Sequence, residues 1–118
     1  MRSCSLVCVA LLLAACVGAE RAARIVAPTA ASRAALQAAV SQALGGAEVT
    51  LADDALTHDS RLTIEHVIRR DAAGNRRVGR DLSAPVVFEL VKRGRQCVLV
   101  RPSDGARWVL DATRCQYQ

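Results

Sequence analysis

The side chains most able to do acid–base or metal chemistry fall in one short polar stretch. It contains Asp53, Asp54, His58 and Asp59. Carboxylates beside a histidine can bind a hard metal or transfer protons. The same composition is typical of a loop whose Asp and Ser side chains bond to nearby backbone groups, and we favour that interpretation. His66 alternates with apolar residues and is expected at the edge of the core, hydrogen-bonded rather than catalytic.

Other signals of catalysis are missing from the sequence. It has no glycine-rich phosphate loop, no serine nucleophile elbow and no HExxH pattern. Trp108 ends a predicted strand and is expected in the core, with a ligand-stacking role as the alternative. We therefore expect a protein that is not an enzyme and needs no cofactor. A small periplasmic hydrolase or metal-dependent enzyme using His58 and the nearby aspartates stays open as the alternative.

Two cysteines, Cys97 and Cys115, lie in the globular part of the chain. An even pair in an exported domain favours a disulfide, because an oxidising compartment permits one. Metal binding is the weaker alternative, since neither cysteine has another Cys or a His at ligand spacing. We predict that the two cysteines are bridged.

Basic residues cluster around two predicted turns. The first group is Arg69, Arg70, Arg76, Arg77 and Arg80, and the second is Lys92, Arg93 and Arg95. Guanidinium groups bind phosphates and carboxylates through paired donors, so an anionic contact surface is the functional interpretation. Solvated hairpin ends are the simpler one. The two turns form one patch only if residues 76–80 make a strand, because both turns then lie at the same end of the sheet.

The N-terminal segment has the properties of an export signal. One charge, Arg2, precedes an apolar run from Ser5 to Ala15. The run has the length of a signal-peptide core and is shorter than the roughly 18 residues of a membrane span. Small residues at Val17-Gly18-Ala19 suit an ordinary signal peptidase, so plain secretion is one possibility.

The second cleavage site is Leu13-Ala14-Ala15-Cys16, which resembles the lipobox of bacterial lipoprotein precursors. That resemblance implies removal of residues 1–15 and attachment of a diacylglycerol to Cys16. Residues 16–27 would then form a lipidated N-terminus and tether, and residues 28–118 a single domain. In that family an Asp after the cysteine retains some members in the inner membrane. Val17 follows here, which implies the outer membrane, with the protein facing the periplasm.

Composition limits the classes of partner. Lys and Arg number 16 against 11 Asp and Glu, so the chain is basic and suits anionic lipid, an acidic glycan or another envelope protein. Nucleic acid is not expected, because export separates the chain from it and three aromatic residues are too few for a base-stacking platform. The overall layout resembles small uncharacterised proteobacterial lipoproteins, and a layout implies no activity.

The elements that must position these residues begin with a helix. Thr29 is a suitable N-cap and Gly45-Gly46 a stop signal. Between them Leu36, Val40, Ala43 and Leu44 form a narrow apolar stripe that must be buried against a sheet.

The remaining chain is predicted to be mostly strand. The predicted strands are a weak one at 47–52, a clear one at 61–70, an ambiguous one within 76–85, and a final meander of 86–92, 95–101 and 107–112. We expect an α+β fold with one N-terminal helix on an antiparallel sheet of four to five strands.

The register follows from the turns chosen for that meander. A two-residue turn at Arg93-Gly94 sets Leu90 opposite Cys97, and a turn centred on Asp104-Gly105 sets Cys97 opposite Ala112. One face then collects the core residues Phe88, Leu90, Cys97, Leu99, Trp108 and Leu110. The other face is rich in valine and half exposed. With this register the disulfide requires the chain to fold back over the core after Ala112.

From these features the predicted function is that of a small lipid-anchored cell-envelope protein, a non-enzymatic binding or accessory module attached to the membrane through Cys16.

Overall fold

One helix packs on an antiparallel sheet, as the sequence predicts for an α+β fold. The computed structural model describes residues 19–65 and 85–118. Their elements are β1 (Arg21–Ile25), α1 (Ala30–Ala43), β2 (Arg61–Ile64), β3 (Val86–Arg93), β4 (Gln96–Arg101), β5 (Ala106–Leu110) and β6 (Cys115–Tyr117). The predicted strand 61–70 is confirmed as far as Ile64, and the ambiguous segment 76–85 lies almost wholly outside the described residues.

Helix α1 begins and ends at the predicted signals. The Thr29 hydroxyl accepts from the Ser32 amide at 3.1 Å, and the Thr29 amide donates to Ser32 Oγ at 2.8 Å. This reciprocal capping box satisfies amides that have no partner inside the helix. After Ala43 the chain turns through Gly45 and Gly46, whose φ angles are 68° and 85°. Glycine adopts that left-handed conformation without steric cost.

The sheet is strongly curled. Its strand order is β5-β4-β3-β1-β6, and β2 pairs with the part of β3 that β1 leaves uncovered. In a flat sheet β5 and β6 would lie about 19 Å apart, at about 4.8 Å per strand. Only residues 111–114 connect them, which span at most roughly 18 Å when fully extended. The sheet must therefore roll so that β6 returns toward β4 and β5.

The meander β3-β4-β5 is confirmed, but its predicted register is wrong by two residues in each hairpin. Leu90 lies opposite Leu99, and Cys97 lies opposite Leu110. The first turn is Gly94-Arg95, because its first central position has φ 59° and only glycine takes that angle cheaply. The second connection contains residues 102–105. A shift of two preserves the pleat, so every residue keeps its predicted face.

The predicted core face is confirmed. Phe88, Leu90 and Leu99 are fully buried, and Cys97 and Leu110 are nearly so. Leu36 and Val40 of α1 pack into the same cluster, while Trp108 is half-buried at its border. On the opposite face Val109 is 53% exposed, as expected, but Val98 is only 3% exposed. We call this valine-bearing face the outer face.

Two predicted segments differ from the structure. The weak strand at 47–52 is wrong: the segment is a loop apart from one bridge at Glu48. The apolar residues of this loop pack on the core. The weak alternation of the segment therefore reflects burial of these residues and not pairing of a strand in the sheet. Within the expected tether, Arg21–Ile25 forms β1, which pairs with both β3 and β6 and buries Ala23 completely. The folded part of the chain therefore begins before residue 28.

Candidate functional site

Four basic residues meet at one end of the sheet, which we call the basic end. They are Arg21, Lys92, Arg93 and Arg95. Arg21 and Lys92 lie opposite each other in the pairing of β1 with β3. Arg93 ends β3 and Arg95 lies in the turn that follows, and both are exposed. The hairpin turn and the start of β1 thus bring residues from distant parts of the sequence together.

Tyr117 orders two of these cations. The Arg21 guanidinium carbon lies 4.6 Å from the centre of the Tyr117 ring, and the Lys92 ammonium lies 5.1 Å from it. The negative face of an aromatic ring attracts cations at these distances. Tyr117 is held there by β6, where it pairs with Ala23 of β1. The ring offsets part of the repulsion between two neighbouring positive charges.

The chain leading into β1 is fastened on the outer face. Arg107 of β5 forms an ion pair with Glu20, with Nη1 donating to Oε2 at 3.0 Å. The hydrogen bonds from Arg107 lower the pKa of Glu20, with smaller contributions from the charges of Arg107 and Arg93. Since Arg107 lies opposite Val100, the Glu20 side chain reaches toward β5 on the outer face.

Only part of the predicted basic surface can be located. Arg93 and Arg95 are exposed side by side at the basic end. The other predicted contact residues, Arg69, Arg70, Arg76, Arg77 and Arg80, lie outside the described residues, so the union of the two turns into one patch stays a prediction. Sequence reasoning missed Arg21 because it assigned the residue to a tether. The one alternating signal for β1 is Arg24 between the buried Ala23 and Ile25, because the flanking Ala22 and Val26 are apolar.

The predicted disulfide is confirmed. Cys97 on β4 and Cys115 on β6 are joined, with their Cα atoms 6.0 Å apart. These strands are not neighbours in the sheet, so the bond closes its curl across the interior. As predicted, the chain folds back after Ala112, whose φ of 51° lies in the left-handed region. Cys97 lies directly opposite Lys92, which places the bridge beneath the basic end.

A second polar cluster, at the opposite end of β4, secures the helix. Arg101 donates to the carbonyl of Ala43 at 2.7 Å and forms a two-bond pair with Asp104 at 2.9 and 2.7 Å. Its guanidinium also lies 5.3 Å from the centre of the Trp108 indole ring. The bonds from Arg101, helped by the Ala106 amide, lower the pKa of Asp104 to about 2. These contacts join β4 to α1, to the connection that follows it and to β5.

His58 and Asp54, from the polar stretch 53–59, lie on the surface. His58 lies 3.8 Å from Asp54, and the two side chains are 82% and 68% exposed. His66 is outside the described residues. Within residues 19–65 and 85–118, no three metal-ligating side chains come close enough to hold an ion.

A cleft of about 250 Å³ lies between α1 and the loop that follows it. Ile25, Leu36 and Leu51 line its apolar floor, and Arg33 and Asp53 lie at its border. Gln37 spans the two walls by donating to the Val49 carbonyl. This bond ties the loop to the helix, so Gln37 holds the two walls of the cleft together.

No protein-family model, curated protein or solved structure matches this chain. In the part of the chain that the structure describes, no helix has both the length and the apolar character to cross a membrane. The function is therefore argued from the residues and their geometry.

Proposed function

We propose that this protein is a lipid-anchored binding module of the bacterial cell envelope, acylated at Cys16 and facing the periplasm. The observation that carries the proposal is the Cys97–Cys115 disulfide. Disulfides persist in oxidising compartments such as the periplasm and are rare in the cytosol. The export-type leader and its lipobox-like Leu13-Ala14-Ala15-Cys16 lead to the same compartment from an independent part of the sequence.

The exposed charges of the sheet support binding rather than catalysis as the role. The ion pairs Arg101–Asp104 and Arg107–Glu20 bind elements of the fold to one another. The basic end is a different kind of feature, since Arg93 and Arg95 project from a turn into solvent. Basic side chains presented in this way suit contact with an anionic surface of the envelope. Outer-membrane sorting is the expected location, because Val17 rather than Asp follows the cysteine.

The test is mass spectrometry of the mature chain extracted from membranes of a bacterial host. We expect a peptide that begins at Cys16 and carries acyl chains, and a Cys16→Ser variant that carries none. Non-reducing alkylation of the same sample should find Cys97 and Cys115 protected. A mature chain that begins at Glu20 without a lipid would contradict the anchor. Two free thiols would contradict the oxidising compartment.

A further inference from the structure

We infer that the basic end is a membrane-docking surface that contacts the phosphate groups of anionic lipids in the bilayer to which Cys16 is anchored. The inference deepens the proposed function and rests on it for the anchor. It adds Arg21 and Tyr117, for which the sequence suggested no role, to the predicted cluster of Lys92, Arg93 and Arg95.

The length of the tether carries the first step. Cys16 precedes Glu20 by four residues, which span at most about 14 Å when fully extended. Glu20 is fixed to the fold through Arg107 and immediately precedes Arg21. An acylated Cys16 lies at the headgroup level, so the start of β1, with Arg21, cannot lie more than about 18 Å from it.

The charge of that end carries the second step. Lys92 and Arg93 are consecutive, Arg95 follows in the turn, and Arg21 is paired across from Lys92. Nearby acidic groups are fewer: Asp111 lies beyond the end of β5, and Glu20 is paired with Arg107. A positive excess within a Debye length of anionic headgroups is attracted to them.

The chemistry of the side chains carries the third step. Arginine binds phosphate through paired donors, and tyrosine has the amphipathic ring that is favoured at membrane interfaces. Tyr117 is 39% exposed and holds Arg21 and Lys92 over its ring. The two cations are thereby positioned before any lipid binds, which lowers the entropy lost on contact.

The experiment uses the mature chain, residues 16–118, with Cys16→Ser, so that no acyl chain contributes to binding. Sedimentation with vesicles of phosphatidylethanolamine and phosphatidylglycerol is compared with neutral phosphatidylcholine vesicles, at low and high salt. The test variant is Arg93→Gln with Arg95→Gln, both in an exposed turn where folding is not at risk. The control variant is Arg33→Gln with Arg61→Gln, which removes the same charge from exposed positions; Arg33 lies on α1, and Arg61 lies beside Arg101 and Ser103 at the opposite end of the sheet.

We expect binding to the anionic vesicles only, weakened by salt. Each basic residue near an anionic surface contributes roughly fivefold to partitioning, so the test variant should bind about 30-fold more weakly. The control variant should lose much less. If both variants lost the same amount of vesicle binding, the net charge of the protein would explain the binding, and the inference would be overturned. Equal binding to neutral vesicles, or binding to an acidic glycan column but to no vesicle, would overturn it as well.

The outcome is separable from that of the proposed function. Acylation of Cys16 is read by mass spectrometry, and docking is read on a chain that cannot be acylated. An acylated protein with no vesicle binding would refute the docking surface alone. Vesicle binding by a protein whose native form carries no lipid would refute the anchor alone.

Discussion

At the scale of single residues, Arg101 connects three parts of the fold. It caps the last turn of α1 through the Ala43 carbonyl and holds the β4–β5 connection through Asp104. Its side chain is 23% exposed. Arg101→Ala should lower the free energy of unfolding by roughly 1 to 2 kcal/mol in urea titration, because the carbonyl loses a charged donor. Arg101→Lys should recover only part of this loss of stability. A lysine keeps the positive charge, but it cannot form the two-bond pair with Asp104. A variant as stable as the wild type would contradict the cap.

Asp104 makes the same cluster sensitive to pH. Its pKa is about 2 in the folded protein, against an ordinary value of 3.8, because Arg101 and the Ala106 amide bind the ionised form. A carboxyl whose pKa is lowered on folding stabilises the protein above its unfolded pKa, and that contribution disappears as the pH falls through the folded value.

The check compares the wild type with Asp104→Asn from neutral pH down to about 2. The difference in their free energies of unfolding should be constant near neutrality and shrink toward zero at the acid end. Other carboxyl groups, including Glu20, cancel in the difference. A gap that persists at the lowest pH would show that Asp104 acts through its shape rather than its charge.

The residue scale is also where sequence reasoning succeeded and failed most clearly. The bridge between Cys97 and Cys115 was predictable because the sequence already predicted export, and an even pair of cysteines in an exported domain favours a disulfide. The Arg101 cap was not, because it joins α1 to β4 across 58 positions of sequence. Arg21 was missed for a similar reason: its importance depends on Lys92 and Tyr117, which the fold brings to it.

At the scale of elements, the disulfide holds the curl of the sheet. It joins β4 to β6 and closes a loop with a sequence separation of 18 residues. Replacing both cysteines by serine should destabilise the protein by about 3 kcal/mol, from the entropy that the loop regains in the unfolded chain. Chemical unfolding with and without reductant measures this loss. Reductant should lower the free energy of unfolding of the wild type and leave that of the double variant unchanged. Equal stability of the two oxidised proteins would mean that β6 pairing alone closes the sheet.

The helix offers an independent test at the same scale. Thr29→Ala removes one half of the capping box and should cost about 1 kcal/mol. Thr50→Ala, in the exposed part of the following loop, is the matched control and should change the stability little. Circular dichroism during urea unfolding measures both. If the two variants lose the same amount, the box contributes nothing specific.

The strands show why polar–apolar alternation predicts the face of a residue better than it predicts the register between strands. Both hairpins shift by two residues from the expected register, yet Phe88, Leu90 and Leu99 stay on the core face, because the side-chain period of a strand is two. Turn position is decided by where glycine can take a positive φ. Strands β1 and β6 escaped prediction since each is short and gains its order from the other.

At the scale of the whole molecule, the proposed anchor and docking surface predict how the domain stands on a bilayer. Gln96 follows the turn at the basic end, and Ser103 lies in the connection at the opposite end of β4. The six residues of β4 extend about 20 Å between these positions. In the docked, acylated protein the first position is therefore near the headgroups and the second is well above them.

A fluorophore on Gln96→Cys or Ser103→Cys reads this orientation in vesicles that carry a quencher on their headgroups. Both sites are exposed, and the native cysteines are unavailable to the label when Cys16 is acylated and the disulfide is intact. We expect strong quenching at position 96 and weak quenching at 103, with the difference reduced by Arg93→Gln and Arg95→Gln because the docked pose loses its phosphate contacts. Equal quenching at both sites would show a domain that lies flat or tumbles on its tether. Stronger quenching at 103 would place the opposite end of the sheet on the membrane.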